Sequence, residues 1–527
     1  MKKLLRMKGL KLDAKQKQWL EENNLYVGDV HNHCGISYGY GSLERAIAFA
    51  SQQLDFFSVT GHFAWPDISK YQDMAIPGDV VAYHKEGFAK LRRNWPEYMR
   101  LMNEANNKDL VSFYSYEYHS FDNGDYTVLA KELNTLLPED PKEGEYDTRL
   151  NKIIESNDAK MTKLLAFPHH IGYKTGYRGI NWKTYNEKTS PLVEILSMHG
   201  SAESYEAQLK YLHTMGPKSG NNTMRGGLNL NNHFGVMANT DHHNASPGSY
   251  GFGRTGVYSA ALNREGIWDN LLLKKTCAFS GDPIEMALFA NDKAIGETLV
   301  KGKEKVRYEV LVSSYDRIES LDLIENGKIV KSYKAPNSDL NEELDGYIPI
   351  AIGWGKKNSP CSWKVNVEII GAEVIEVSPR LRGKDMVDPL DIPKENGELP
   401  LECKREGNKV YLQATTDGNK TATTNSTQGF VLHTKGEGKV KVSLLAEWRG
   451  ETLTKEYEYD IKTLFENAQS EYLEGFVSPS FVVGPFVNIE ETECQMSYES
   501  DIEKGYAYIR CQEANGDIAV SSPIWIE

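Results

Sequence analysis

The stretch LYVGDVHNH, residues 25–33, joins a short apolar run to two histidines. Five later runs share its length and its β-branched or aromatic character, at residues 55–59, 110–116, 163–167, 192–196 and 234–238. Short runs of this kind predict buried strands of a parallel sheet. The sequence between them has helical spacing, as in Leu43 to Gln53, where apolar residues recur at steps of three and four. This alternation predicts an α/β fold.

Polar motifs follow these runs at the points where the strands would end. They are VTGH (59–62), YEYH (116–119), FPHH (167–170), SMHG (197–200) and TDHH (240–243). Side chains two residues apart on a strand point the same way, so His31 and His33 can grip one ion. Asp241 and His243 form a second such pair. If the strands close into a barrel, their carboxyl ends converge on one face, which predicts a single metal-binding centre.

The chain of 527 residues is too long for one ordinary core, and its texture changes after Gly281. Segments such as KVRYEVLVSS (305–314) and SWKVNVEII (362–370) predict an all-β, sandwich-like region. We expect the α/β region over 1–285, a β-domain over 286–380 and a β-rich insertion or third domain over 381–495. The last segment, 496–527, has a hairpin signal at Asn515-Gly516 and is expected to complete the first β-domain.

Three helices can be predicted with their boundaries. One leads the chain over residues 1–23. A long one covers Asp79 to Asn106 and is expected to be interrupted at Pro96. The third is capped by Asn263 and runs from Arg264 to about Lys275.

The formal net charge of −14 limits the partners of the protein. A nucleic-acid backbone or an anionic membrane would be repelled, so neither is expected to bind. No apolar run is long enough for a signal sequence or a membrane span, which favours a soluble, cytoplasmic protein. The six cysteines form no CxxC pair and are expected to be free thiols.

Several of these segments together resemble the polymerase-and-histidinol-phosphatase, or PHP, superfamily of metal-dependent hydrolases. They are GDVHNHCGIS (28–37), SLERAIAFASQQLDFFSVTGH (42–62), YEYH (116–119), FPHHIGY (167–173), VEILSMHG (193–200) and TDHHNASPGSYGFG (240–253). The branch with carboxy-terminal β-domains is the most similar, and the likeness covers about the first 285 residues, with a fainter one at SSPIW (521–525). The resemblance implies a distorted, seven-stranded βα barrel that holds two or three Zn, Mn or Fe ions.

The resemblance also implies a set of metal ligands. His31, His33 and Asp241 would hold one ion, and Glu117 would bridge to a second ion. The second ion would take His243 and one of the adjacent pair His169 and His170. His199 is a further candidate ligand, which could instead bind substrate.

Two departures from the family pattern favour two metals over three. The second motif is Thr60-Gly61-His62 where the family has Thr-Asp-His. The family members with three metals also carry a histidine shortly after the HxH motif, where this chain has Ser37, Tyr38 and Gly39. His62 is therefore expected to be a weak ligand or a proton donor to the leaving group.

The remaining candidates bind substrate or support the ligands. His242 and His119 each neighbour an expected ligand but point to the opposite strand face, so a supporting or core role is at least as well favoured as ligation. His242 is also a candidate to bind substrate. The glycine-rich loop 247–253 and Arg254 form either a phosphate cradle or a plain turn. Lys174 and Arg178 are either anion ligands or ordinary surface charges.

The functional hypothesis is hydrolysis of a phosphoester of a small, anionic substrate. A metal-bound hydroxide would attack at a dinuclear or trinuclear centre, with Asp241 orienting the nucleophile and His62 or His199 protonating the leaving alkoxide. One alternative is an amidohydrolase that opens a C–N bond. Another is a glycan-binding or protein-binding module with a structural metal centre. The β-domains would cover the barrel or form the interface of a homo-oligomer.

Overall fold

The computed structural model describes most of the chain: residues 3–7, 9–68, 78–132, 137–138, 163–209, 211, 216–336, 338–353, 359–383, 401–416 and 427–527. Its helices are α1 Lys3–Arg6, α2 Ala14–Glu22, α3 Leu43–Ala50, α4 Gly78–Ala105, α5 Met224–Asn229, α6 Arg264–Leu272, α7 Ile461–Glu466 and α8 Ile489–Thr492. None of these helices is long and apolar enough to cross a bilayer.

The first part of the chain contains twelve strands. They are β1 Asn24–Asp29, β2 Phe56–Phe57, β3 Thr60–Ala64, β4 Val111–Ser112, β5 Tyr114–Tyr118, β6 Tyr126–Ala130, β7 Leu164–Pro168, β8 Leu192–Ser197, β9 Gly200–Ser201, β10 Gly235–Ala238, β11 Arg254–Ser259 and β12 Thr276–Phe279.

The later part is almost entirely strands. They are β13 Glu285–Ala290, β14 Lys293–Ala294, β15 Thr298–Leu299, β16 Val306–Ser313, β17 Ile318–Glu325, β18 Lys328–Tyr333, β19 Asp345–Gly353, β20 Cys361–Ile370, β21 Glu373–Arg380, β22 Glu402–Glu406, β23 Lys409–Thr416, β24 Gln428–Lys435, β25 Lys439–Trp448, β26 Glu451–Asp460, β27 Gln469–Tyr472, β28 Ser480–Val483, β29 Val487–Asn488, β30 Glu493–Ser500, β31 Gly505–Glu513, β32 Ile518–Ser521 and β33 Ile524–Ile526.

Each of the six apolar runs contains a strand, which confirms a mixed α/β fold. β1, β2 and β4 pair in parallel, as do β3 with β5 and β8 with β10. Other neighbours are antiparallel: β6 lies between β5 and β7, β9 lies beside β8, and β11 lies between β1 and β12. Hydrogen bonds place these strands in three separate sheets of the described chain, so the closed seven-stranded barrel stays a prediction.

Strand β6 is not among the six strands predicted from the sequence, because no ligand motif follows it. Only seven residues separate it from β5. A connection this short cannot make the crossover that parallel neighbours need, so β6 turns back and pairs antiparallel to β5.

The long helix differs from its prediction at Pro96. Helix α4 runs for 28 residues with Pro96 inside it, rather than being interrupted there. Its buried residues are Gly87, Leu91, Trp95, Tyr98 and Met102. Packing of this apolar face holds the helix together through the proline, whose own side is exposed. The cap at Asn263 is confirmed, because its side chain accepts a hydrogen bond from the Gly266 N–H at 2.8 Å.

The β-rich part contains two hydrophobic cores. Strand β30 pairs with β16 and β31 pairs with β17, so the last strands lie beside the first ones of this part. Together they bury a core that runs from Tyr258 to Ala335 and resumes from Cys494 to Ile526. The second core extends from Leu344 to Phe486 and includes Phe49 of α3. Strands β19 to β21 contribute to this second core. The domain boundary expected at residue 380 stays a prediction.

Replacement of Pro96 by alanine should stabilise the protein. Alanine restores the amide N–H that α4 lacks at this position, and Pro96 is exposed, so little packing is lost. After allowance for the greater freedom of the unfolded chain, we expect about 1–2 kcal/mol more free energy of unfolding. Urea denaturation followed by circular dichroism measures it. The control is Glu97→Ala on the same turn, which should change the free energy of unfolding by less than about 0.5 kcal/mol. If the two substitutions have equal effects, the missing amide hydrogen bond at Pro96 does not limit stability.

Candidate metal centre

The loops that follow β1 and β10 run side by side and carry the HxH and TDHH motifs. The His33 N–H donates to the His242 carbonyl at 2.8 Å, and the Asp241 N–H donates to the His31 carbonyl at 2.8 Å. The Ala245 N–H in turn donates to the His33 carbonyl at 3.0 Å. These backbone bonds fix the register between the two loops, so the two ligand pairs expected from the sequence face one another.

A buried carboxylate, Asp29 at the end of β1, ties the same two loops together. Its Oδ1 accepts the His31 N–H at 3.1 Å. Its Oδ2 accepts the Thr240 hydroxyl at 2.5 Å and the Gly248 N–H at 2.7 Å. Asp241 itself has a φ of 52°, in the left-handed region that Asp tolerates better than most residues. The aspartate of TDHH is therefore held in an orientation that an ordinary turn would not give.

Five groups come together between these loops: the imidazoles of His31 and His33, the acceptor that each imidazole faces, and the Asp241 carboxylate. His31 Nδ1 lies 3.0 Å from Glu194 Oε2, and His33 Nδ1 lies 2.6 Å from the Thr60 carbonyl oxygen. A carbonyl oxygen and a carboxylate accept hydrogen bonds, so both Nδ1 atoms carry the hydrogen. Both Nε2 atoms therefore present lone pairs, and they lie 3.3 Å apart. Asp241 Oδ1 lies 3.4 Å from the first and 3.2 Å from the second.

This convergence of acceptors is suited to a cation. Glu117 Oε2 adds another one, 3.5 Å from His33 Nε2, and it accepts no hydrogen bond within the described chain. Burial lowers the pKa of His31, but Asp241 and Glu194 outweigh it and raise that pKa to about 10. The site thus demands positive charge, as a proton or as a metal ion. Mixed imidazole and carboxylate donors suit Zn, Mn or Fe.

Glu117 lies at the middle of the wider cluster. Residue pairing between β3 and β5 sets His62 beside it, with His62 Nε2 3.3 Å from Glu117 Oε2. On the other side, His169 Nε2 lies 2.9 Å from Glu117 Oε1. His199 Nε2 lies 3.0 Å from Asp241 Oδ2. The two oxygens of Glu117 therefore face different imidazoles, as a bridging carboxylate requires.

The donors sort into groups that differ in one respect from the expectation. Ligand atoms lie within 4.8 Å of one another in the groups His31–His33–Glu117, His33–His62–His243, His62–Glu117–His119 and Glu117–Asp125–His169–His170. His243 therefore groups with His33 and His62, and not with His169 as expected for the second ion. Of the adjacent pair, His169 faces Glu117, whereas His170 Nε2 lies 3.3 Å from Asp125 Oδ2.

Electrostatics keeps the carboxylates ionised and His62 neutral, whereas His31 carries a proton until a metal ion replaces it. Burial raises the pKa of Glu117, but His119 and His169 outweigh it and hold that pKa well below its usual range. The same balance, with His31 as the main cation, depresses the pKa of Asp241. Burial lowers the pKa of His62 well below its ordinary value. Neutral imidazoles beside ionised carboxylates are the forms that bind metals.

Two residues of the cluster were missed by the sequence analysis. Glu194 supports His31, and its Oε2 also accepts the Asn239 side-chain N–H at 2.9 Å. A signal existed, because a glutamate inside the apolar strand LVEILS must be buried and paired. Asp125 precedes β6 in a polar loop and had no such signal.

Three candidates lie apart from the donor groups. Arg254 is buried, but its guanidinium donates to the Gly248 carbonyl and to Gln53 Oε1, both at 2.8 Å. It therefore braces the glycine-rich loop from behind, which favours the plain turn over the phosphate cradle. Lys174 is exposed beside the Tyr177 ring, as an ordinary surface charge. His242 is buried against Phe252, in line with a core role.

Arg178 and His119, in contrast, lie at the edge of the cluster. Arg178 Nε donates to Asp125 Oδ2 at 2.6 Å, and its NH2 lies 2.7 Å from His119 Nδ1. The same NH2 lies 4.0 Å from Glu117 Oε1. Of the two basic residues after FPHHIGY, Arg178 is thus the one beside the donors.

Comparisons with known proteins add little to this picture. No protein-family model matches the chain, and no curated protein matches it significantly. Two solved structures are similar. One is a two-domain protein from Bacteroides vulgatus containing a predicted PHP-like metal-dependent phosphoesterase, with 10% identity, a TM-score of 0.32, and coverage of 84% of this chain and 96% of that one. The other is PsfC from Pseudomonas syringae, with 14% identity, a TM-score of 0.28, and coverage of 44% and 82%. Both similarities are too low to support a statement about this chain, so the family resemblance stays a prediction.

Removal of the Glu194 carboxylate should weaken metal binding. Glu194→Ala deprives His31 of the partner that sets its tautomer, and we expect the affinity for Zn²⁺ to fall by about 10–100-fold. Glu194→Gln keeps an acceptor oxygen for His31 Nδ1–H and should lose less. Competition against a chromophoric zinc chelator measures the affinity.

The control for this change is Glu309→Gln in the β-rich part. Glu309 is equally buried and accepts hydrogen bonds from Arg307 and Ser497. It should leave zinc affinity unchanged. If Glu194→Ala binds zinc as the unaltered protein does, Glu194 does not orient a ligand.

Proposed function

We propose that this chain is a metal-dependent hydrolase that cleaves a phosphoester of a small anionic molecule at a centre of two divalent ions, Zn, Mn or Fe. The observation that carries the proposal is the convergence of buried imidazole lone pairs and carboxylates from six strand ends on one place. A structural zinc site is normally closed by four ligands. A surplus of ligands supports a catalytic centre rather than the alternative of a binding module.

The residues divide between two ions as follows. His31, His33 and Asp241 would hold the first ion. Glu117 would be shared, because its Oε2 faces His33 and its Oε1 faces His169. His169 would then belong to the second ion. Divalent ions bound in such a centre acidify water and neutralise the charge of a phosphoryl group.

His62 is suited to donate a hydrogen bond to the leaving group. The His62 main-chain N–H donates to Ser37 Oγ at 3.1 Å, and the same hydroxyl lies 2.9 Å from His62 Nδ1. The hydroxyl can thus donate its own hydrogen to Nδ1, which leaves the hydrogen of the neutral imidazole on Nε2. That atom faces Glu117 and the centre of the cluster. His62 would then stabilise the charge on the leaving oxygen, and Ser37 would set its tautomer.

Substrate is expected to approach from the side of His199 and His243. Their side chains are 10% and 16% exposed, whereas those of His31 and His33 are fully buried. Tyr173 holds His199 on this side, with its hydroxyl 2.9 Å from His199 Nδ1. His199 is therefore placed to contact substrate and the Asp241 carboxylate together.

The basic group beside the donors favours a phosphoester over an amide. The Arg178 guanidinium lies 4.0 Å from Glu117 and is 14% exposed. An amide carries no charge that needs a fixed cation, whereas a phosphoryl group does. The position of Arg178 therefore favours the phosphoesterase hypothesis over the amidohydrolase alternative.

The test combines metal analysis with turnover. Protein purified without chelator should contain about two Zn, Mn or Fe ions per chain and should hydrolyse p-nitrophenyl phosphate or bis-p-nitrophenyl phosphate. Chelation should abolish turnover, and the metal should restore it. Asp241→Asn, which tolerates the left-handed backbone but loses the charge, should lower turnover by more than about 100-fold.

The matched control is His433→Gln. His433 also pairs with an acid, Asp345 at 2.7 Å, but lies on β24 in the β-rich part. It should retain full metal content and turnover. Bound metal without phosphoester turnover would favour the hypothesis of an amide hydrolase. No transition metal in the purified protein would refute the proposed centre.

A further inference from the structure

The guanidinium of Arg178 lies inside a group of donors that would otherwise suit a metal ion. Its NH2 contacts Asp125 Oδ2 and His119 Nδ1, and its Nε donates to the same Asp125 oxygen. Asp125 is fully buried. The positive charge of Arg178 thus rests among side chains that normally bind cations.

Without the guanidinium, Asp125, His119 and His170 would be available to a metal ion beside Glu117. Ligand atoms of Glu117, Asp125, His169 and His170 lie within 4.8 Å of one another, and all four residues are buried. His119 Nδ1 lies 3.0 Å from Asp125 Oδ2, and His170 Nε2 lies 3.3 Å from it. Two carboxylates and several imidazoles match the needs of a divalent transition ion.

The way Arg178 is held shows that its place is built into the fold. Its backbone has a φ of 68°, a left-handed conformation that is uncommon for arginine. Its guanidinium carbon lies 4.7 Å from the centroid of the Trp65 ring. Asp125 Oδ1 is also bound, because it accepts the Ser120 N–H at 3.0 Å. The ring, the carboxylate and the loop geometry together fix the guanidinium beside Glu117.

We propose that Arg178 is a permanent third cation of the centre, occupying a latent metal site formed by Asp125, His119 and His170 beside Glu117. A guanidinium stays charged at every physiological pH and cannot be removed by a chelator. The centre therefore keeps one positive charge next to Glu117 that does not depend on metal supply. This rests on the proposed function only in taking the other two cations to be metal ions.

The experiment is to remove the guanidinium and count the metal ions. Unaltered protein and Arg178→Ala are equilibrated with chelator-buffered Zn²⁺ alone. Bound zinc is then measured by inductively coupled plasma mass spectrometry. Arg178→Ala should bind about one zinc ion more per chain than the unaltered protein, because the donors of the latent site are then open. Arg178→Lys, which keeps a positive charge, should bind the unaltered number.

Two further variants show whether the extra ion is in the latent site. In Arg178→Ala combined with Asp125→Asn, the extra zinc should be lost. Arg510→Ala is the matched control, because Arg510 also pairs with two acids, Glu203 and Asp322, which have no histidine beside them in the described chain. It should bind the unaltered number. If Arg178→Ala does not fold, Arg178→Gln keeps a donor for Asp125 and should also gain one ion.

The outcomes separate this inference from the proposed function. An unchanged zinc count in a folded Arg178→Ala or Arg178→Gln would overturn the inference, as would an extra ion that persists without the Asp125 charge. Failure of the unaltered protein to bind any zinc, manganese or iron would instead refute the proposed function. A gain of one ion on loss of Arg178 would support the latent site in either case.

Discussion

The rest of the centre depends on the hydrogen bonds that the buried Asp29 carboxylate accepts. The carboxylate accepts hydrogen bonds from the loop after β1 and from the loop after β10, so it sets how far apart the two ligand pairs lie. Burial raises the pKa of Asp29, and the hydrogen bonds from Thr240 and Gly248 oppose that rise. A carboxylate in this position costs free energy that the fold recovers only because both loops supply donors to it. The contact also brings negative charge close to the centre.

The centre as a whole has more acids than cations, which links its folding to what it binds. Glu117, Asp125 and Asp241 are buried in the cluster, and Arg178 is the basic residue seen against them. Protonation of His31 relieves part of this imbalance when no metal is present. Divalent ions would relieve more of it, because any cation that binds the folded chain and not the unfolded one adds to stability. The stability of the cluster would therefore depend on the cation that it binds.

Sequence reasoning succeeded where a local rule controls the structure and did not where contacts are distant. His31 and His33 were recognisable because they directly follow an apolar run, and their Nε2 atoms do lie 3.3 Å apart, although both residues belong to the loop after β1 and not to a strand. The hairpin at Asn515-Gly516 was recognisable from its turn residues, and β31 and β32 pair around it. The run of α4 through Pro96 and the pairing of Asp125 with Arg178 depend on packing between segments far apart in the chain. No local pattern encodes such contacts, so only the structure reveals them.

The same distinction explains why the sequence left the role of Arg254 open. A glycine-rich loop followed by an arginine has the sequence pattern of a phosphate cradle, yet here the arginine turns inward. It joins Gly248, which Asp29 also binds, to Gln53, whose Oε1 accepts the Leu381 N–H at 3.2 Å.

Beyond Leu381, the Gly383 N–H donates to Ser249 Oγ at 2.8 Å, and a side chain at Gly383 would collide with His242. The loop that carries Asp241 and His243 is therefore held from one side by β1 and from the other by the segment after β21. The first 285 residues do not contain all the contacts that hold the candidate metal ligands, so the β-rich part contributes to the architecture of the candidate centre.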